Sequence, residues 1–196
     1  VGQEDMLAIW PSVDPSDPIL DVLTVNGAPG AYNKNKGAGV GISWAAESGA
    51  RASANYVAAN GASSDTRTGG FATDDAGGTG TLQLGWEGDN WGVAALYSKV
   101  QNGQDLIVYA TPFVKDRFSD RGVTHAYALG GFWQPLESGW LPSLSLGWGI
   151  NQSDTQREGQ VRTSQSWRAG LQWNDVLMAG NNAGMAVGQP VFATDL

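Results

Sequence analysis

Thr163-Ser164-Gln165-Ser166-Trp167-Arg168-Ala169-Gly170-Leu171-Gln172-Trp173-Asn174 sets the frame for the whole chain. Side chains of an extended segment alternate between two faces, so Trp167, Ala169, Leu171 and Trp173 share one face, and Ser166, Arg168, Gly170 and Gln172 share the other. An arginine on a lipid-facing strand surface costs about 2–4 kcal/mol at the bilayer midplane. The arginine face therefore belongs to water, and the tryptophan face to something apolar.

The same division recurs on either side of this stretch. Val40, Ile42 and Trp44, then Leu82, Leu84 and Trp86, then Leu144, Leu146, Trp148 and Ile150 form apolar faces, opposed by Thr81, Gln83, Ser143, Ser145 and Gly147. Leu96 and Phe132 break the pattern, as residues packed under an inward-folded loop would. About eight strands follow from this alternation and its Gly, Pro, Asn, Asp and Ser boundaries. They run from Gly39 to Glu47, Ala50 to Ala59, Thr79 to Glu87, Trp91 to Val100, Val123 to Gln134, Leu141 to Asn151, Thr163 to Asn174 and Ala183 to Val191. Ser48-Gly49 and Gly88-Asp89-Asn90 are tight joins, while Pro135 to Trp140 and the join after Asn174 are looser. Between the pairs lie the polar stretches Asn60 to Gly78, Gln101 to Gly122 and Gln152 to Arg162, which read as exposed loops. Connections that are short and long in strict turn are the pattern of an antiparallel transmembrane β-barrel, so the expected fold is all-β and of that type.

Composition agrees with a wall that faces something apolar. Glycine, at 28 of 196 residues, is about twice its usual share, and there are nine tryptophans. The charged fraction of 15% lies below the roughly 25% of ordinary soluble domains. No run of about eighteen apolar residues occurs, which excludes a membrane-spanning helix but not membrane strands. The chain has no cysteine, so disulfides, thiolate metal sites and cysteine nucleophiles are excluded. A net charge of -8 without any basic run argues against a nucleic-acid partner. The opening residues Val1 to Asp5 carry no signal-peptide features.

Aromatic residues gather near strand ends. Trp44, Trp86, Trp91, Trp133 and Trp173 border the short turns, whereas Tyr56, Tyr97, Tyr127, Trp148 and Trp167 lie toward the long loops. Two interfacial girdles are the expectation, with outer-membrane lipid as the partner. The competing reading places these tryptophans in a soluble core or along a sugar-binding face. The strand order also puts both ends of the chain on the long-loop side, whereas single-chain bacterial barrels place both on the short-turn side. Residues 1–36, with Pro11, Pro15, Pro18 and Pro29 and a short helical candidate at Ile19 to Leu23, are expected to form an extracellular loop, and residues 37–196 a section of a larger barrel.

The stretch Ser166 to Leu177, followed by Gly180-Asn181-Asn182-Ala183-Gly184-Met185-Ala186-Val187-Gly188-Gln189-Pro190, resembles a segment of the carbohydrate-selective porin family. More narrowly it looks like the cyanobacterial branch often labelled iron-uptake porins, to which Asp17-Pro18-Ile19-Leu20-Asp21 and Asn33-Lys34-Asn35-Lys36-Gly37-Ala38-Gly39 are also similar. The resemblance implies an outer-membrane porin of about 16 strands, often trimeric, preceded by a cell-wall-anchoring domain and closed by a strand ending in an aromatic residue. The chain carries neither of those last features, so the resemblance implies a central section of a longer protein.

A porin needs a wet passage rather than a catalytic residue or cofactor. By parity the lining candidates are Arg51, Asn55, Gln83, Glu87, Arg168 and Gln172, with a solvated wall position of no selective role as the alternative for each. Acidic residues crowd the long loops at Asp65, Asp74, Asp75, Asp105, Asp116 and Asp120. An acidic mouth would favour cations; interspersed Arg67, Lys115, Arg117 and Arg121 are what ordinary solvated loops would carry. Asp74-Asp75 alone offers too few ligands for a metal cage. Gly37 to Gly41 looks like a nucleotide-binding loop but opens a strand rather than a helix. His125 is the single histidine, which disfavours a hydrolase triad and makes it a wall or loop-base residue. The expected function is passive diffusion of small hydrophilic solutes, with sugars, inorganic ions and iron as the candidates. The alternative is a soluble secreted β-domain that binds glycans through exposed tryptophans.

Overall fold

A computed structural model describes residues 37–196, except 72, 74, 104–109, 119–120, 137–139 and 155–156. The expected N-terminal loop and its helical candidate lie outside the described residues. Eight strands form one sheet in sequence order: β1 (Ala38–Ala45), β2 (Ala50–Ala58), β3 (Gly78–Glu87), β4 (Trp91–Gln101), β5 (Val123–Trp133), β6 (Ser143–Ser153), β7 (Thr163–Asn174) and β8 (Asn182–Asp195). Every neighbouring pair is antiparallel. The all-β expectation holds, and each strand overlaps its expected range.

Only β7 keeps both its expected bounds; most other ends shift by one or two residues, and two of the shifts have a clear cause. β6 begins at Ser143 rather than Leu141, because Pro142 has no N–H to donate to a ladder. β8 runs on to Asp195, past a break in its pairing with β7 between Gln165 and Trp167. Pro190 lies at that break, where a bulge accommodates its missing donor.

Register keeps the two faces apart across the whole sheet. The row Trp44, Ala52, Leu84, Ala95, Leu129, Trp148, Trp167 and Gln189 runs from β1 to β8 through successive pairs. Trp44 is next to the last residue of β1, yet Trp167 in the same row is midway along β7. The turn ends therefore step steadily along the register, the stagger that accompanies strand tilt in barrels.

The β4–β5 connection departs from the expectation of a simple exposed loop. It contains α1 (Pro112–Arg117), which the sequence reading missed. Ala110 makes a parallel bridge to Val191 of β8, and the Thr111 N–H donates to the Val191 carbonyl at 2.9 Å. Val114 is fully buried against Val161 and Val191, and the Val161 N–H donates to the Arg117 carbonyl at 3.0 Å. Phe118 packs on Val100 and Ala126. The loop thus leaves the middle of the sheet, lies on residues of its polar-side parity, and fastens to the last strand.

Candidate functional site: two faces of one sheet and a bridging loop

The polar face is built from short hydroxyl and amide side chains that bond across strands. Thr81 and Ser98 hydroxyls lie 2.8 Å apart, Thr124 and Ser153 hydroxyls 2.8 Å apart, and the Asn151 amide donates to Ser164 at 3.2 Å. Gln83 is 1% exposed and lies 3.4 Å from the Ser53 hydroxyl. Pairing of this kind satisfies groups that would otherwise be costly to shield from water.

The six lining candidates all occupy this polar-side parity, but in different surroundings. Asn55, Gln83 and Gln172 are buried, while Arg168 is half-buried. Arg51 and Glu87 are brought together: Arg51 Nε donates to the Glu87 carboxylate at 3.1 Å. Arg51 also donates to the Ala46 carbonyl at 2.9 Å. The pair ties the β1–β2 turn to the end of β3, so its charges are spent on each other.

The opposite face presents large apolar side chains outward. Ile42 is 73% exposed, Leu84 68%, Leu129 55%, Leu146 51% and Val187 61%. The expected girdle residues lie on this face at its two margins. Trp91 and Tyr97 on β4, Tyr127 and Trp133 on β5, and Trp167 and Trp173 on β7 keep the same interval of six positions. Because the interval is constant while the turn ends step along the register, the two belts climb the sheet in parallel. Trp44 and Trp86 continue the turn-side belt, and Tyr56 and Trp148 the loop-side belt. Trp148 donates its indole N–H to Gln165 at 3.4 Å, and Trp173 donates to the Trp140 carbonyl at 3.0 Å. A shallow groove of about 1070 Å³ lies between the belts, with Leu84, Val93, Leu129, Leu146, Trp148 and Trp167 in its lining.

Beyond the loop-side belt the apolar face turns polar, at Lys99, His125, Gln152 and Gln165. His125 joins a cluster the sequence reading did not assemble. Its Nδ1 lies 2.8 Å from the Tyr97 hydroxyl, and its Nε2 lies 3.2 Å from the Asp154 carboxylate. Tyr97 stacks on the His125 ring and tilts against Tyr127. His125 is thus a loop-base residue that anchors the start of the β6–β7 loop.

Of the acidic loop candidates, the described ones, Asp65, Asp75 and Asp116, do not gather into a ligand group. Asp65 accepts from the Thr68 N–H at 2.9 Å and the Arg67 N–H at 2.8 Å. Those backbone donors, Thr68 first, hold its carboxyl below the usual aspartate range. Asp65 is therefore a turn-former. Asp75 is exposed, and Asp116 is exposed on α1 between Lys115 and Arg117. Asp74, Asp105 and Asp120 lie outside the described residues. Among the described residues, no group of three potential metal ligands gathers.

No family model matches the chain, and comparison with curated proteins and with solved structures returns no match.

Proposed function

We propose that this chain is a wall section of an outer-membrane porin, a barrel through which small hydrophilic solutes diffuse without a cofactor or an energy source. One observation carries the reading: an outward apolar face bounded by two aromatic belts that keep a constant six-residue interval while following the stagger of the sheet. A soluble protein rarely leaves more than a few hundred Å² of contiguous apolar surface exposed. A glycan-binding face would concentrate its aromatic residues in one groove, and would have no reason to repeat them at two heights on β4, β5 and β7.

Three further features agree with it. Hydroxyls and amides on the opposite face suit contact with water or polar solutes. The bridging β4–β5 loop supplies a segment that would narrow such a passage. Among the described residues β1 pairs as a strand only with β2, and β8 only with β7 apart from the isolated Ala110 bridge. Open edges are not tolerated in hydrocarbon, so further strands complete the barrel on this reading.

Far-UV circular dichroism with light scattering, in plain buffer and in detergent micelles, tests the proposal. The expected result is aggregation in buffer and monodisperse β structure in detergent. A monodisperse β protein in buffer alone would replace the porin with the soluble glycan-binding domain. Conductance across planar bilayers then tests the passage itself, and the reversal potential in a salt gradient tests for cation preference.

A further inference from the structure

Two of the long connections are tied together at one side chain. Asn102, the first residue after β4, has φ 49, a left-handed backbone that asparagine tolerates better than most residues. The turn swings its carbonyl toward Gly77, where an added Cβ would lie 3.3 Å from it. The side chain takes over the lost pairing. The Gly122 N–H donates to Asn102 Oδ1 at 3.0 Å, and the Asn102 N–H donates to the Gly122 carbonyl at 2.9 Å, so the neck of the β4–β5 connection is closed from both sides. Asn102 Nδ2 donates in turn to the Ala76 carbonyl of the β2–β3 connection at 3.3 Å, beside a bond from Gln101 Nε2 to the Thr73 carbonyl at 3.0 Å. One carboxamide thus spends its acceptor on one connection and its donor on another.

The residue that follows gives this carboxamide a chemistry. Gly103 has no side chain to hinder its amide nitrogen. Of the chain's three Asn-Gly pairs, 26–27 lies outside the described residues, and Asn60 of 60–61 is exposed and holds its own turn through its backbone carbonyl. In water the Gly103 nitrogen, once deprotonated, can attack Asn102 Cγ. The new C–N bond closes a cyclic imide, the Cγ–Nδ2 bond breaks and ammonia leaves. Water then opens the imide at either carbonyl, leaving an aspartyl residue or its isoaspartyl isomer.

That attack requires the carboxamide to leave its two partners, so the bonds that make the tie also shield it. The reaction also destroys the donor. An aspartyl carboxylate still accepts from the Gly122 N–H, but it has nothing to donate to the Ala76 carbonyl and sets a negative oxygen against it.

We propose that Asn102 is a site of hydrolytic deamidation and that its tie is a one-way latch. Closed, the latch protects the carboxamide; opened and modified, it no longer holds the β2–β3 connection, while the β4–β5 neck keeps its bonds in the aspartyl form. The inference does not depend on the membrane reading.

The test follows the full chain in whichever medium, buffer or micelle, keeps it monodisperse. It is incubated at mildly alkaline pH beside the same chain unfolded in urea. Mass spectrometry of tryptic peptide 100–115, which holds no other asparagine, counts the modification. Two side-chain hydrogen bonds of ordinary strength should slow the folded chain by roughly 10- to 100-fold. Gln101→Leu, which removes the neighbouring bond to Thr73, should raise the folded rate by roughly 2- to 10-fold and leave the unfolded rate unchanged. Asn102→Asp, the product made directly, should raise tryptic cleavage at the exposed Arg67 of the β2–β3 connection, with strand content by circular dichroism unchanged. Asn102→Gly keeps the left-handed backbone and drops both side-chain bonds; it takes the place of Asn102→Asp if that variant does not fold, and the same rise at Arg67 is expected.

Equal rates in the folded and unfolded chains overturn the shielding, and absence of deamidation at residue 102 in the unfolded chain overturns the site. A Gln101→Leu rate equal to the parent's overturns the coupling to the tie. Cleavage at Arg67 that stays at the parent's level in the folded variant overturns the release.

Discussion

The first four strands and the last four obey the same alternation but end differently. In the β1–β4 half the belt tryptophans are the last large apolar residues before the turns, and the first turn is secured by Arg51 and Glu87. In the β5–β8 half large exposed apolar residues stand beyond the belt, Leu136, Trp140 and Leu141 in one turn and Leu177 and Met178 in the other, and the last turn is secured by Asp175 and a left-handed Leu177. The strands also lengthen, from the eight residues of β1 to the fourteen of β8. One sheet thus carries a short apolar flank and a tall one. In a bilayer, such a difference is met by local thinning and thickening of the lipid.

The comparison breaks first if the halves do not share one environment between the belts. Leu84→Arg on β3 and Leu146→Arg on β6 should each cost about 2–4 kcal/mol, read from urea-dependent folding into vesicles; a negligible cost at either site would show that its half does not face lipid. Next come the turns, where opposite signs are expected. Gly49 has φ 98, and an added Cβ would collide with the Glu87 carbonyl. Gly49→Val should therefore destabilise by roughly 1–3 kcal/mol, while Leu177→Gly should stabilise by about 1–2 kcal/mol through relief of its left-handed backbone. The urea midpoints of both variants check this, and destabilisation by Leu177→Gly would show that the strained display is repaid by contacts at its tip.

A smaller effect concerns the securing pair. The Arg51 and Glu87 side chains are 22% and 37% exposed, so Arg51→Met should cost about 0.2–1 kcal/mol. That cost should shrink as salt is added, and a salt-independent loss would point to the Ala46 carbonyl contact instead. The smallest expected effect is at Asp65. Its carboxyl is held below its ordinary value, so its contribution is complete above the aspartate range and is lost as pH falls through the lowered value. Protease nicking of the β2–β3 loop should rise over that acid window, and Asp65→Asn should nick at neutral pH as the acidified parent does.

Strand positions were legible because the period-two pattern is local, and the apolar and polar faces it assigned are the faces the register maintains. The positions of the aromatic residues at the margins of the apolar face were legible for the same reason. What depended on pairing was not. Arg51 lies opposite Gly85, so its contact with Glu87 is a diagonal one that only the β2–β3 register reveals. Tyr97, His125 and Asp154 come together through two successive pairings and a loop start. The polar-face residues looked ready to meet water, but Gln83 is buried beside Ser53 of the neighbouring strand and Gln172 is buried beside Asn174 of its own, which no reading of parity alone could tell. Helix α1 has a signal in Thr111-Pro112, since proline favours the first helical position. Six residues inside a polar connection were too few to register as periodicity. Of the apolar residues in the β5–β6 turn, Leu136 and Trp140 were read as part of the join and only Leu141 as the start of a strand, since it extends the apolar run that resumes after Pro142.

The tether between Ala110 and Val191 has a consequence for the order of assembly. Every strand meets the one before it in sequence, so the sheet grows by hairpin addition with short loop closures. The Ala110 bridge and the Val161 contact of α1 are different, because they join the middle of the chain to parts made after it. The Ala110 and Thr111 contacts of segment 110–118 have no partner until β8 is laid down, whereas Phe118 packs on β4 and β5 and Val114 also meets Val161 of the β6–β7 loop. Full docking of the segment would then report that β8 is in place; on the porin reading, the passage would be narrowed only in molecules that had built this stretch of wall.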